Sequence, residues 1–222
     1  MPFRKTYSKS KRPRSRAATP WYAKKYNAQQ LAMKAWNATK YLKGLVNSEL
    51  YHYDSTVSAT ISSTGFLTNL TAIAIGDSSA TRTGNSILAK SINYRFKLEI
   101  NSVVSGSTSV VVMLVQDTQQ VADTNPIIAD ILQTVNPQSL LNLNTAGRFK
   151  VISRKNYFLS PSSGGKGAYE VSGFHKMYSH IRYNGATTSD TQKNGIYLLA
   201  ISSEAVNVPT ITGTYRLAYH DN

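Results

Sequence analysis

The chain has 222 residues, no cysteine and a net charge of +14, with 16 % charged residues against the roughly 25 % of an ordinary soluble protein. Without cysteine, disulfides, iron–sulfur clusters, zinc fingers and thiol nucleophiles are excluded. The charge is also unevenly spread: residues 1–50 hold twelve Lys or Arg against Glu49 alone, a net of +11, while the other 172 residues hold thirteen bases and ten acids, a net of +3.

Residues 1–18 contain seven bases, no acid and almost nothing able to enter a core. Such a segment cannot offset its ordering entropy, so a disordered basic arm is expected there. Thr19-Pro20 offers an N-cap followed by Pro at a first helical position. Leu31, Ala35, Ala38, Leu42 and Leu45 then draw one apolar stripe, predicting a helix over 21–43 with Gly44 as its stop. Trp36 and Tyr41 are assigned to packing of that helix rather than to base stacking. The organisation expected is an arm at 1–18, a helical basic segment at 19–48 and a β-domain at 49–222.

From Glu49 onward the period changes to two. Ile92, Tyr94, Phe96, Leu98 and Ile100 alternate with Asn93, Arg95, Lys97 and Glu99, and Met177, Ser179, Ile181 and Tyr183 alternate with Lys176, Tyr178, His180 and Arg182. Val110–Val115 and Ile196–Ile201 are unbroken apolar runs, predicting strands covered on both faces. Eight strands are expected, near 50–62, 66–75, 87–101, 109–117, 147–159, 172–183, 194–203 and 211–220, with one short helix around Ile127–Leu132. Eight strands without βα alternation indicate an all-β fold, a single eight-stranded jelly roll or double-sheet β-sandwich, preceded by the basic arm and one N-terminal helix. The longest aliphatic run is six residues against the roughly 20 of a spanning helix, and Met1 to Lys5 open no signal-peptide core. A soluble, intracellularly made protein without a transmembrane segment is expected.

Little in the chain speaks for catalysis. His52, His175, His180 and His220 are scattered, and His175 and His180, five apart, fall on opposite faces of a strand. Gly164-Gly165-Lys166-Gly167 lacks the ending of a phosphate loop and reads as a surface loop. Asp117, Asp123 and Asp130 are the one acidic cluster, carboxylates that a calcium ion between subunits would need, and a solvated loop is the preferred reading. No catalytic residue, metal site or cofactor is expected.

The N-terminal segment carries the strong signal. Arg4, Lys5, Lys9, Lys11, Arg12, Arg14, Arg16, Lys24 and Lys25 form a cationic tract interleaved with Tyr7, Trp21, Tyr22 and Tyr26. Mobile cations suit phosphates through counterion release, and aromatic faces suit unpaired bases. The nucleic-acid-binding set is therefore Arg4, Lys5, Lys9, Lys11, Arg12, Arg14, Arg16, Trp21, Tyr22, Lys24, Lys25 and Tyr26. Lys9, Lys11, Arg12, Pro13, Arg14 and Arg16 also form a cluster of nuclear-import type. A solubility tail, a membrane-attracted segment and a pure targeting signal are the competing readings.

Three stretches resemble a known family: Lys34-Ala35-Trp36 through Lys40–Glu49, Gly76–Ile87 running into Lys90-Ser91-Ile92, and Gly147–Ile152. With the basic arm they resemble, in order, the capsid proteins of circular, replication-initiator-encoding single-stranded DNA viruses, the circovirus-like group. The resemblance implies a jelly roll self-assembling as about sixty copies into an icosahedral shell, with the arm inside on single-stranded DNA. It implies a virion protein that passes through the host nucleus, with loops Ser160–Gly167 and Gly185–Asn194 outside for a host attachment factor. The arm is shorter and poorer in arginine than in circoviruses, and satellite viruses with RNA genomes share the jelly roll and basic arm. The alternatives are such a satellite-like capsid protein, a non-assembling single-strand-binding β-barrel, and a β-sandwich hydrolase with a targeting tail.

Overall fold

Alternation along residues 92–99 becomes a strand with one wet face: Ile92, Tyr94, Phe96 and Leu98 are buried, and Asn93, Arg95, Lys97 and Glu99 are exposed. The structure, a computed structural model, describes residues 26–46, 49–121, 124–162 and 165–221, with helix side chains to Leu42. The β-domain is two antiparallel sheets packed as a sandwich. The five-stranded sheet has β1 (Leu50–Thr60), β9 (Thr210–Asp221), β3 (Ser86–Glu99), β6 (Ala168–Tyr183) and β7 (Thr191–Lys193) in spatial order. The four-stranded sheet has β2 (Phe66–Asn69), β8 (Gly195–Ser202), β4 (Thr108–Asp117) and β5 (Phe149–Leu159).

The pairing is nested: β1 with β9, β2 with β8, β3 with β6 and β4 with β5. The first strand thus lies against the last, from Leu50 opposite His220 to Thr60 opposite Thr210. This is the expected jelly roll. It carries one more strand than expected, the three-residue β7, which adds to the edge of β6 before Asn194, at a φ of 61°, turns the chain into β8. The expected strand 66–75 ends at Asn69, whose side chain accepts bonds from the Thr71 amide at 2.8 Å and hydroxyl at 2.7 Å and turns the chain. A bulge at Ala89/Ser91 interrupts the pairing of β3 with both neighbours.

Two cores result. Val110, Val112 and Leu114 of β4, with Ile196, Leu198 and Ala200 of β8, face the interior between the sheets. Val111, Met113 and Val115, with Leu199 and Ile201, face the other way and form a second core. The connection from Thr118 to Arg148 covers that core, inserting Ile131 and Leu132 from and beside the short helix α2 (Ile128–Ile131). Both apolar runs are therefore covered on both faces.

N-terminal to the β-domain, Ala28–Val46 is an α-helix, α1. The chain divides into two compact units, residues 1–44 and 45–222. Tyr26 and Asn27 are not helical, so the helix starts later than the expected residue 21, and it continues through Gly44 instead of stopping there. The start is set by a reciprocal cap, the Gln30 amide donating to Asn27 Oδ1 at 2.8 Å and the Asn27 amide to Gln30 Oε1 at 3.3 Å. Thr19-Pro20 and the arm 1–18 lie outside the described residues. Among the described residues no helix is long and apolar enough to cross a membrane.

Two measurements check this packing. Leu199→Ala is expected to cost about 2–5 kcal/mol, as much as Leu198→Ala, because both faces of β8 are buried; a near-neutral Leu199→Ala in urea titration would show the second core to be unimportant. Gly213 has a φ of 154°, and a Cβ there would sit 2.2 Å from the Arg95 carbonyl oxygen, so Gly213→Ala should lower the urea midpoint markedly.

Candidate nucleic-acid interface

Of the residues expected to bind nucleic acid, Arg4, Lys5, Lys9, Lys11, Arg12, Arg14, Arg16, Trp21, Tyr22, Lys24 and Lys25 lie outside the described residues, as does Pro13. Tyr26 is described. Lys34, two turns along the helix, donates to its hydroxyl at 2.5 Å and lies 3.8 Å from its ring centre. Residues 28–46 contain three lysines and no acid. Trp36 is 62 % and Tyr41 68 % exposed, with Lys40 5.5 Å from the Trp36 ring. Leu31 and Leu42 of the apolar stripe are also exposed on the helix.

The β-domain presents a second cationic surface that inspection of the sequence missed. The outward face of the five-stranded sheet bears Lys90, Arg95 and Lys97 from β3, Lys176 and Arg182 from β6, Lys193 from β7 and Arg216 from β9. Its acids are Asp54, Glu99 and Glu170, so the face carries +4, and the rest of residues 51–222, with six bases and seven acids, carries −1. Arg216 forks onto Asp54 at 2.6 and 2.5 Å and holds that carboxyl below its ordinary pKa, and Lys97 reaches Glu99 at 2.9 Å. Among the described residues, Arg95, Lys176, Arg182 and Lys193 form no ion pair. Phe174, 56 % exposed, and Tyr178, 76 % exposed, stand among them, with Lys90 4.4 Å from the Tyr178 ring. The signal was present as period-two alternation, but only the pairing of β3 with β6 and β9 puts these positions on one surface.

The acidic cluster resolves differently from a solvated loop. Arg148 forks onto buried Asp117, Nε to Oδ1 at 2.8 Å and Nη2 to Oδ2 at 2.6 Å, and lies 4.0 Å from Asp130. Asp117 holds the Arg148 guanidinium above its ordinary pKa. Asp130 accepts from the Ile127 amide at 3.0 Å, and Asp123 lies outside the described residues. Among the described residues no group of three or more His, Asp or Glu converges as a metal would require. His175 turns inward and stacks on Tyr94 with ring centres 5.9 Å apart, and His180 points outward, on opposite faces as expected. The loops 160–167 and 185–194 flank β6 at its opposite ends.

A buried cation organises one end of the sandwich. Arg82 is fully buried, its Nε donating to the Ile73 carbonyl at 2.8 Å, Nη1 to that of Gly84 at 2.6 Å and Nη2 to that of Gly185, with Tyr183 stacked 3.9 Å away. Burial pushes the pKa of Arg82 down and that of Tyr183 up. Arg82 and Arg148 thus hold long connections to the sheets, and each lies in a stretch that carried the resemblance to DNA-virus capsids.

The family model for the satellite tobacco necrosis virus coat protein matches residues 24–222. The chain belongs to that family. It is a viral coat protein, a component of the virion. The match overturns the assignment to circular single-stranded DNA viruses: Arg82 and Arg148 serve the loops of a jelly roll, a demand that comes from the fold and is indifferent to the genome. Among solved structures, the chain is similar to the desmodium yellow mottle tymovirus capsid at 14 % identity and a TM-score of 0.35, covering 77 % of this chain and 87 % of that one. It is similar to infectious bursal disease virus, Gx strain, at 10 % identity and a TM-score of 0.29, covering 78 % of this chain and 32 % of that one. At these values the two likenesses carry no further argument. No match is found among curated proteins.

Arg82→Met is expected to destabilise the coat protein by about 3 kcal/mol or more, since it leaves buried carbonyls without donors. A loss below about 1 kcal/mol in urea unfolding would show that the clamp is dispensable.

Proposed function

We propose that this chain is the coat protein of a small satellite-like virus, that it closes into an icosahedral shell of about sixty copies, and that its N-terminal segment packages single-stranded RNA. The match to the satellite tobacco necrosis virus coat protein over residues 24–222 carries the reading, and it favours the satellite-like alternative over DNA packaging. The N-terminal charge supports the rest. About sixty segments at +11 bring about 660 positive charges, a substantial share of what a genome of a few thousand nucleotides needs at one charge each. Arg4, Lys5, Lys9, Lys11, Arg12, Arg14, Arg16, Lys24 and Lys25 would bind phosphates, and Trp21, Tyr22 and Tyr26 would stack on bases. Lys9, Lys11, Arg12, Pro13, Arg14 and Arg16 are given to RNA here, because the family match calls for no nuclear stage. The domain division proposed remains an arm at 1–18, a basic helical segment at 19–48 that faces the genome, and a shell domain at 49–222. The weakly charged shell domain suits the role, because a surface rich in Ser, Thr and Asn lets many copies pack without strong repulsion.

Negative-stain microscopy of the purified protein should show uniform shells about 20 nm across. Their contents should be degraded by ribonuclease and resist deoxyribonuclease after extraction. Deleting residues 1–18 should remove most of that RNA while the β-domain keeps its urea midpoint. Persistent monomers in low and moderate salt would sink the assembly, and equal RNA in truncated and full-length shells would sink the role of the arm.

A further inference from the structure

We propose that the outward face of the five-stranded sheet is a second docking surface for single-stranded nucleic acid, taking phosphates on Arg95, Lys176 and Arg182 and bases on Phe174 and Tyr178. This inference rests on the reading of the chain as an RNA-packaging coat protein. Three observations carry it.

The first is charge. Residues 51–222 sum to only +3, yet the face holds +4 and everything else −1. The near-neutral domain is therefore polarised, with its excess positive charge on one sheet. The acids of the face cancel selectively. Of the three acids, Asp54 is taken by Arg216 and Glu99 by Lys97, and Glu170 lies opposite Lys97, while Arg95, Lys176 and Arg182 form no ion pair among the described residues. Cations held without carboxylates on an open surface are ready to release counterions to a polyphosphate.

The second is the alternation along β6. Phe174, Lys176, Tyr178, His180 and Arg182 point outward in succession, about 6.8 Å apart. Aromatic faces and positive charges thus interleave along one rigid strand, which is what a sequence-tolerant single-strand surface requires. The aromatics are exposed where an ordinary strand would place Thr or Ser, as β1 does on the same face with Thr56, Ser58 and Thr60.

The third observation concerns the competing occupant, a second copy of this chain. Two such faces would repel each other, and the remainder of the domain, at −1 spread over six bases and seven acids, has no counter-charge to match +4. The other sheet offers no comparable surface, because its outer face is covered by the connection 118–148. Charge complementarity therefore selects a polyanion.

The test compares full-length protein with two double variants, Lys176→Gln/Arg182→Gln on the face and Lys150→Gln/Lys166→Gln away from it, matched in net charge. Binding to a fluorescein-labelled 12-nucleotide oligouridylate is titrated across salt. The face variant should lower the slope of log K against log salt by about 1.4, two contacts at about 0.7 each, and the control variant should leave it unchanged. Separately, Phe174→Ser should weaken oligouridylate binding about tenfold and leave the affinity for inorganic polyphosphate as it was. Wild-type protein that binds no oligouridylate would remove the packaging reading and this inference with it. Wild-type binding with an unchanged slope in the face variant overturns this inference alone. An unchanged slope with lost assembly would assign the face to a second copy instead.

Discussion

The four-stranded sheet must be buried on both sides, and the rest of the structure follows from that. β4 and β8 present apolar side chains in both directions, so the sandwich interior can cover only half of what they expose. The long connection between β4 and β5 covers the other half, and it is held down at its end by Arg148 on buried Asp117. A break in that pair would leave a charge uncompensated in an apolar setting, so the connection and the sheet stand or fall together. With one sheet covered twice, the solvent-facing sheet surface of the domain belongs to the other sheet, and the charges collect there.

Nested pairing has a second consequence. β1 and β9 lie side by side although 150 to 170 residues separate their partners, and β2 with β8 is similarly remote. Such contacts reward the chain only after long loops have closed, so folding of this domain is slow compared with helical proteins of the same size. The buried cation Arg82 acts on the same problem. It gathers carbonyls from Ile73, Gly84 and Gly185, positions more than 100 residues apart in the last case, into one cage. A guanidinium suits that task because its planar fork reaches several acceptors at fixed angles.

This also explains why the motifs pointed to the wrong viruses. Residues 76–87 contain Arg82 and residues 147–152 contain Arg148, and both side chains hold connections of this jelly roll in place. That duty says nothing of whether the genome is RNA or DNA. The basic N-terminal segment is equally silent on that point, because phosphates are common to both.

Alternation and unbroken apolar runs determined the strands, the double burial of 110–115 and 196–201, and the all-β class, since the pleat itself imposes a period of two. Charge counting determined the split between a cationic N-terminus and a near-neutral remainder. The helix was legible in its stripe of Leu31, Ala35, Ala38 and Leu42, but its start was not, because the cap depends on a reciprocal bond between Asn27 and Gln30. Only the tertiary structure decided which wet strand faces meet. Arg95, Lys176 and Arg182 lie up to 87 residues apart in the chain, and the antiparallel register of β3 with β6 brings them onto one surface. It also decided that Asp117 is buried against Arg148 and that Arg82 is enclosed, because a long side chain's partners are chosen by packing across distant segments, which no local pattern records.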